Sequence, residues 1–159
     1  MKIFLTGCAG HLAQALLPRL CEHPDIESVS GVDFKVTDFS HPKFVFCQAD
    51  YGAQKSRSLM AGCDALVHLG FTVLRGRMKA DAMWRNNVAS SQALFQAADQ
   101  ARIRRIVHVS SAAVYGSGEN LSEIDPLAPS PGFLYARHKA ELERWMQVHQ
   151  PHAVRLRPH

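Results

Sequence analysis

The chain has 159 residues, 47% of them hydrophobic and 20% charged, with a formal net charge of +4 and a pI near 9.0. That length fits one domain with its own core, and the composition excludes a disordered or low-complexity chain. The longest stretch without Asp, Glu, Lys or Arg, Ile3 to Pro18, is too short and too polar to span a bilayer. The basic residues are scattered, so the positive charge is compatible with an anionic ligand but leaves no footprint for nucleic acid. Arg102, Arg104 and Arg105 form the densest basic cluster and read as a solvated corner between a helix and a strand.

The elements follow in chain order. Lys2–Leu5 is a short first strand, and Gly10 to about Cys21 a helix with Leu12, Leu16 and Leu20 on one face. Pro18 sits inside that helix and is expected to kink it. Strands follow at Ser28–Val32 and Phe44–Gln48, then a short helix at Ser56–Ala61 and a fourth strand at Ala65–Leu69. Asp81–Ala101 reads as one long helix, with Met83, Trp84 and Leu94 as its core contacts. Arg105–Ser110 is a fifth strand running into the apolar Ala112-Ala113-Val114, Tyr135–His149 a helix stopped before Pro151, and Ala153–Arg157 a sixth strand. Alternation of this kind predicts an α/β fold of Rossmann type. It is a doubly wound parallel sheet of about six strands with helices on both faces, and its ligand lies at the carboxyl ends of the strands.

The first strand ends in Thr6-Gly7-Cys8-Ala9-Gly10-His11-Leu12-Ala13. Gly7 allows a tight turn, and Gly10 lets the backbone approach a pyrophosphate, which then meets the free N–H groups at the start of the first helix. Leu5-Thr6-Gly7-Cys8 also looks like a lipidation box, but the apolar run before it is only three residues long. Asp33 ends the second strand, where a carboxylate accepts hydrogen bonds from adenosine ribose and repels a 2′-phosphate, so NAD is expected in preference to NADP. Lys35 lies near enough to soften that preference. Asp50 and Tyr51 follow the third strand at a position suited to the adenine edge.

Tyr135 and Lys139 are four apart and share a helix face. An ammonium beside a phenol favours the phenolate. Together with the positive charge of an oxidised nicotinamide, Lys139 is expected to bring Tyr135 from about 10 towards neutrality, which takes about 4 kcal/mol. Tyr135 then serves as a general acid/base, and Ser111, at the end of the fifth strand, holds the substrate oxygen beside it.

The four cysteines, Cys8, Cys21, Cys47 and Cys63, have no CxxC spacing, which disfavours a zinc knuckle or redox pair and fits a reducing cytoplasm. The nine histidines form no metal-ligand pattern. His68 and His108 read as satisfied strand residues. Arg75 and Arg77, in the loop after the fourth strand, lie near the expected substrate mouth and are weak candidates for a substrate phosphate.

Taken together, Thr6-Gly7-Cys8-Ala9-Gly10, Asp33, Asp50, Val67-His68-Leu69-Gly70, Asn87-Val88, Val109 to Gly116, Glu123, Tyr135-Ala136-Arg137-His138-Lys139 and Arg157-Pro158 resemble the extended short-chain dehydrogenase/reductases. The similarity is to their NAD-dependent epimerase/dehydratase branch, and within it to sugar-nucleotide 4-epimerase-like members. It implies Ser111, Tyr135 and Lys139 as catalytic triad, with Lys139 also on the nicotinamide ribose. Leu69, Gly70 and Phe71 would line the cofactor, with Asn87 near the site. Ala13 stands where the family's third glycine is usual, and His11 replaces an apolar or aromatic residue over the phosphates. The resemblance also implies a small-molecule substrate, possibly a nucleotide sugar, and pairing of two copies through Asp81–Ala101 and Tyr135–His149. A substrate-binding region would follow Arg157-Pro158 in the family, so residues 1–159 read as the NAD-binding half without it. The competing expectation is a non-catalytic NAD-binding sensor or regulatory module on the same fold.

Overall fold

A computed structural model describes residues 1–74 and 76–159. The order of elements is β1 (Lys2–Thr6), α1 (His11–Glu22), β2 (Ser28–Asp33), β3 (Phe44–Gln48), α2 (Gln54–Ser58) and β4 (Ala65–His68). Then come α3 (Ala80–Trp84), a π turn (Arg85–Ala89), α4 (Ser90–Gln100), β5 (Arg105–Val109), a 3-10 turn (Ala112–Tyr115), α5 (Leu134–His149) and β6 (Val154–Leu156). The strands form a six-stranded sheet in the order β3-β2-β1-β4-β5-β6, and every pairing is parallel. This is the doubly wound order, in which the chain reverses direction across the sheet between β1 and β4.

β1 is the central strand, and its last four residues are buried. Burial on both faces is what a parallel sheet with covered faces requires. The period of two sorts its side chains. Phe4 packs with Leu66, Leu94, Phe95, Leu142 and Met146 beneath α4 and α5. Ile3 and Leu5 pack on the opposite face with Ala13, Leu17 and Cys21 of α1 and with Val29.

The buried stripe of α1 is displaced by one residue from the predicted one. Ala13, Leu17 and Cys21 are buried, Leu16 and Leu20 pack at the flank, and Leu12 is 49% exposed. Helical side chains lean towards the N-terminus, so a given patch of sheet is covered by the residue one position further along. The helix runs on through Pro18. On the α1 side, β5 and β6 are less covered: Val107 and Val109 are half-buried, and their register partners Val154 and Leu156 are about half exposed.

Asp81–Ala101 is not one regular helix, because the π turn at Arg85–Ala89 interrupts it. Nor is Trp84 a core residue; it is 37% exposed, and its indole N–H donates to Glu141 of α5 at 2.9 Å. An indole keeps a polar end that needs a partner. Met83 and Leu94 are buried as expected. The Ala112–Val114 segment forms the 3-10 turn, with the Ser111 hydroxyl accepting from the Ala113 N–H at 3.2 Å as its N-cap. At the helix-to-strand corner Arg102, Arg104 and Arg105 are exposed, and Arg102 has a φ of 61°.

The turn after β1 depends on glycine. Gly7 has φ +73°, and a Cβ there would lie 2.5 Å from the Gly70 amide nitrogen. Gly7→Ala is therefore expected to destabilise the domain by about 1–3 kcal/mol from the left-handed backbone alone, with the steric clash adding to that. Urea denaturation of the variant beside the parent checks it.

Candidate active site

A cleft of about 170 Å³ opens along the carboxyl ends of the strands at the β1/β4 crossover. One end is formed by Asp33, Phe34 and Lys35, the middle by Gly7, Ala9 and Gly10 facing Asp50 and Tyr51, and the other end by Leu69, Gly70, Phe71, Thr72 and Asn86. The Gly7 N–H donates to Val32 and the Gly10 N–H to Gly7, which folds the turn back on itself. Gly10 is the N-cap of α1, and no side chain caps the helix, so its first N–H groups are free for an anion.

Asp33 is 8% exposed, and its carboxylate accepts from the Ala9 N–H at 3.0 Å and the Lys35 N–H at 2.9 Å. These bonds aim it along the glycine turn. His11 and Leu12 begin α1 with exposed side chains and do not line the cleft. Tyr51 lies against Gly70, where an added Cβ would be 3.1 Å from its ring, and its hydroxyl donates to the Asn86 carbonyl.

The π turn decides what the two asparagines do. Asn86 reaches the cleft. Asn87 is fully buried, and its amide pins the loop after β4 by accepting from the Thr72 N–H at 2.7 Å and donating to the Thr72 carbonyl at 2.9 Å. The residue expected near the cofactor thus acts through the loop that carries Phe71, and its neighbour faces the cleft. Asn86, Phe34 and Thr72 line the cleft as well, and the sequence pattern does not single them out. Their position beside glycines and Asp33 is the one signal they carry, and the π turn has none.

Tyr135 and Lys139 come from the first turns of α5, and Ser111 from the end of β5. Phe71 stands between them, its ring edge-on to Tyr135 at 5.6 Å and with the Lys139 Nζ 3.7 Å from its centroid. Lys139 is 2% exposed and donates to the Val109 carbonyl at 2.5 Å. Burial lowers it to about 7, and Glu143 opposes that shift. Tyr135 is not brought towards neutrality. Burial raises it, with a hydrogen bond to Ser111 pulling the other way. The expected lysine effect is missing for a physical reason. Nζ sits 5.8 Å from the Tyr135 ring centroid, is engaged by Val109, and is itself close to losing its charge at neutral pH.

Beneath this group lie two buried imidazoles. His68 is satisfied, with Nδ1 at 2.6 Å from the Thr6 hydroxyl and Nε2 at 2.9 Å from the Ser91 hydroxyl. His108 is not; among the described residues neither of its ring nitrogens has a hydrogen-bond partner, although the ring stacks on His68 at 5.2 Å. It points into the same aromatic layer as Phe71 and Phe95, which supplies no acceptor. The four cysteines are free thiols, and burial with the nearby Asp33 pushes Cys8 up to about 12. Among the described residues no group of three or more His, Cys, Asp or Glu side chains is placed to hold a metal ion, and no helix is long and apolar enough to cross a membrane. Arg77 is exposed in the loop after β4, and Arg75 lies outside the described residues.

Strand order, glycine turn and crossover cleft define a doubly wound domain built for a dinucleotide. Residues 3–157 match the NAD dependent epimerase/dehydratase family, and the chain belongs to it. It is 32% identical over 152 residues to the 4-hydroxy-2-methyl-3-oxo-4-farnesyl-3,4-dihydroquinoline-1-oxide ketoreductase of Stigmatella aurantiaca, covering 91% of this chain and 44% of that protein. It is 34% identical over 106 residues to a dTDP-glucose 4,6-dehydratase of Streptomyces griseus, covering 64% of this chain and 32% of that one. Among solved structures, the NAD-bound double mutant of the dTDP-glucose 4,6-dehydratase DesIV from Streptomyces venezuelae superposes with a TM-score of 0.82 at 26% identity, covering 99% of this chain and 55% of that one. The chain therefore spans about half, or less, of the length of these relatives.

The histidine pair makes stability depend on pH. Burial holds both imidazoles well below their ordinary value, and the Lys139 charge adds to this. In the unfolded chain they protonate near 6.5, so below that pH the unfolded state binds more protons and folding stability falls as pH falls. Each histidine contributes a slope of up to about 1.4 kcal/mol per pH unit. His108→Phe is expected to remove one proton's worth of that slope, read from urea midpoints between about pH 5 and 7.

Proposed function

We propose that residues 1–159 form the NAD-binding and catalytic half of an oxidoreductase of the epimerase or dehydratase type, acting on a sugar nucleotide or a related alcohol. One observation carries the reading. The crossover cleft runs from Asp33 past the glycine turn to Phe71, and Tyr135 and Lys139 pack against the Phe71 ring behind its far end, with Ser111 acting on Tyr135. The site fits the cofactor on its own geometry. The start of α1 has free N–H groups, and two backbone N–H groups hold the Asp33 carboxylate beside the glycine turn. Asp33 would hold the adenosine ribose, Gly7 and Gly10 would admit the pyrophosphate, and Tyr51, Leu69, Gly70 and Phe71 would line the remainder. Lys139 would reach the nicotinamide ribose.

When bound, NAD supplies the hydride acceptor. The chain's own residues manage the proton and the orientation. Ser111 holds the substrate oxygen, Tyr135 removes or returns the proton at its hydroxyl, and Lys139 reaches the nicotinamide ribose. Phe71 and the buried aromatic layer exclude water from the lysine. The competing reading is a module that binds NAD without turnover.

Two measurements decide. Isothermal titration calorimetry is expected to give NAD at least about tenfold tighter binding than NADP, equivalent to about 1.4 kcal/mol, because Asp33 faces the ribose; equal affinities would remove Asp33 from that role. In the full-length protein Tyr135→Phe is expected to lower hydride transfer by about 10²–10⁴-fold, read as reduced cofactor with a panel of nucleotide sugars, while NAD affinity stays near the parent's. Tight NAD binding by the full-length protein with no transfer from any alcohol would favour the non-catalytic module.

A further inference from the structure

We propose that the Phe71 ring is a shutter between the cofactor cleft and Lys139, covering the lysine Nζ until the second ribose of a dinucleotide displaces it. The proposal deepens the reading above and rests on it for the role of Lys139.

The shutter follows from where the groups stand. Phe71 lines the cleft, whereas Ser111, Tyr135 and Lys139 do not. Lys139 is 2% exposed, so a ligand in the cleft meets the Phe71 ring before it meets Nζ. The cover is direct. Nζ sits 3.7 Å from the Phe71 ring centroid, and the Tyr135 ring meets Phe71 edge-on at 5.6 Å. Behind the ring Nζ has a seat of its own. It donates to the Val109 carbonyl at 2.5 Å and rests on an aromatic face, which attracts a cation. A lysine that is to meet a ribose hydroxyl in the cleft must first be uncovered.

The backbone decides which part can move. Before Phe71, the Leu69 N–H donates to the Thr6 carbonyl and the Gly70 N–H to the Thr6 hydroxyl, each at 3.2 Å. After it, the buried Asn87 amide holds the Thr72 N–H at 2.7 Å and the Thr72 carbonyl at 2.9 Å. The main chain is thus pinned on both sides of Phe71. Uncovering Nζ then falls to the Phe71 side chain, which has discrete staggered positions about its first torsion. The ring is half-buried and borders the open cleft. The length of the ligand sets the trigger. ADP occupies the Asp33 end and the glycine turn and stops short of Phe71, whereas a ligand with a second ribose beyond the pyrophosphate reaches the ring.

The test is the ¹H–¹³C NMR spectrum of the lysine ε-CH₂ groups. A group held over an aromatic face resonates upfield of its solvated counterparts, so the Lys139 signal reports where the Phe71 ring is. It is assigned by its loss in Lys139→Met and, in the parent, by cross-relaxation with the Phe71 ring protons. The parent is expected to show Lys139 upfield of the other lysines, and Phe71→Leu, which keeps an apolar side chain, to lose that displacement. Saturating ADP should leave the parent signal upfield. Saturating ADP-ribose, which carries the second ribose but no nicotinamide ring, should move it to its place in Phe71→Leu. Calorimetry on the same samples records whether each ligand is bound. A parent signal among the exposed lysines overturns the proposal. So does ADP-ribose bound with the signal still upfield, a result that leaves the cofactor site standing. Displacement by ADP alone overturns the second ribose as the trigger. Absence of binding heat for both ligands, with the signal upfield throughout, overturns the cofactor reading itself and the trigger with it.

Discussion

The site depends on two backbones meeting at the sheet crossover. Gly7, at the end of β1, and Gly70, after β4, approach so closely that a single methyl group at Gly7 would overlap the Gly70 amide. That approach closes the floor of the cleft between the glycine turn and the loop that carries Phe71. Thr6 bridges the same junction, its hydroxyl accepting from the Gly70 N–H at 3.2 Å while contacting His68. The Leu69 N–H donates back to the Thr6 carbonyl. The glycine turn and the loop that carries Phe71 are therefore one piece of structure, joined by groups too small to be replaced.

Below this junction a polar column runs through a core that is otherwise apolar. Thr6, His68 and Ser91 are linked in series, and the Ser91 hydroxyl donates to the Asn87 carbonyl at 2.6 Å. Asn87 in turn fixes Thr72. The π turn makes this possible, since inserting a residue into the helical ladder turns one asparagine to the loop and leaves the next to the cleft. His108, stacked beside His68, lies outside the column and is tolerated because burial keeps it neutral.

Much of the organisation was legible in the sequence. Six strands, the glycine turn, Asp33 at a strand end, and a tyrosine and lysine sharing a helix face follow from local pattern and spacing, and all are present in the fold. What was not legible depends on partners distant in the chain. The face of α1 was displaced by one residue, since which residues meet the sheet is decided by docking rather than by periodicity alone. Trp84 lay outside the core because Glu141, 57 residues away, offers its indole an acceptor. The Asn86/Asn87 exchange needed the π turn, which has no sequence pattern.

The sequence by itself determined the parallel α/β architecture, the place of the glycine turn and the helix face shared by Tyr135 and Lys139. These are properties of short segments: hydrophobic period, glycine at a turn, two side chains one helical turn apart. Only the tertiary structure decided the charge on those groups. Burial lowers Lys139 to about 7 against the pull of Glu143, and burial raises Tyr135 against a hydrogen bond with Ser111. Desolvation and Coulomb interactions depend on distance and dielectric, which are set by packing between residues far apart in the chain.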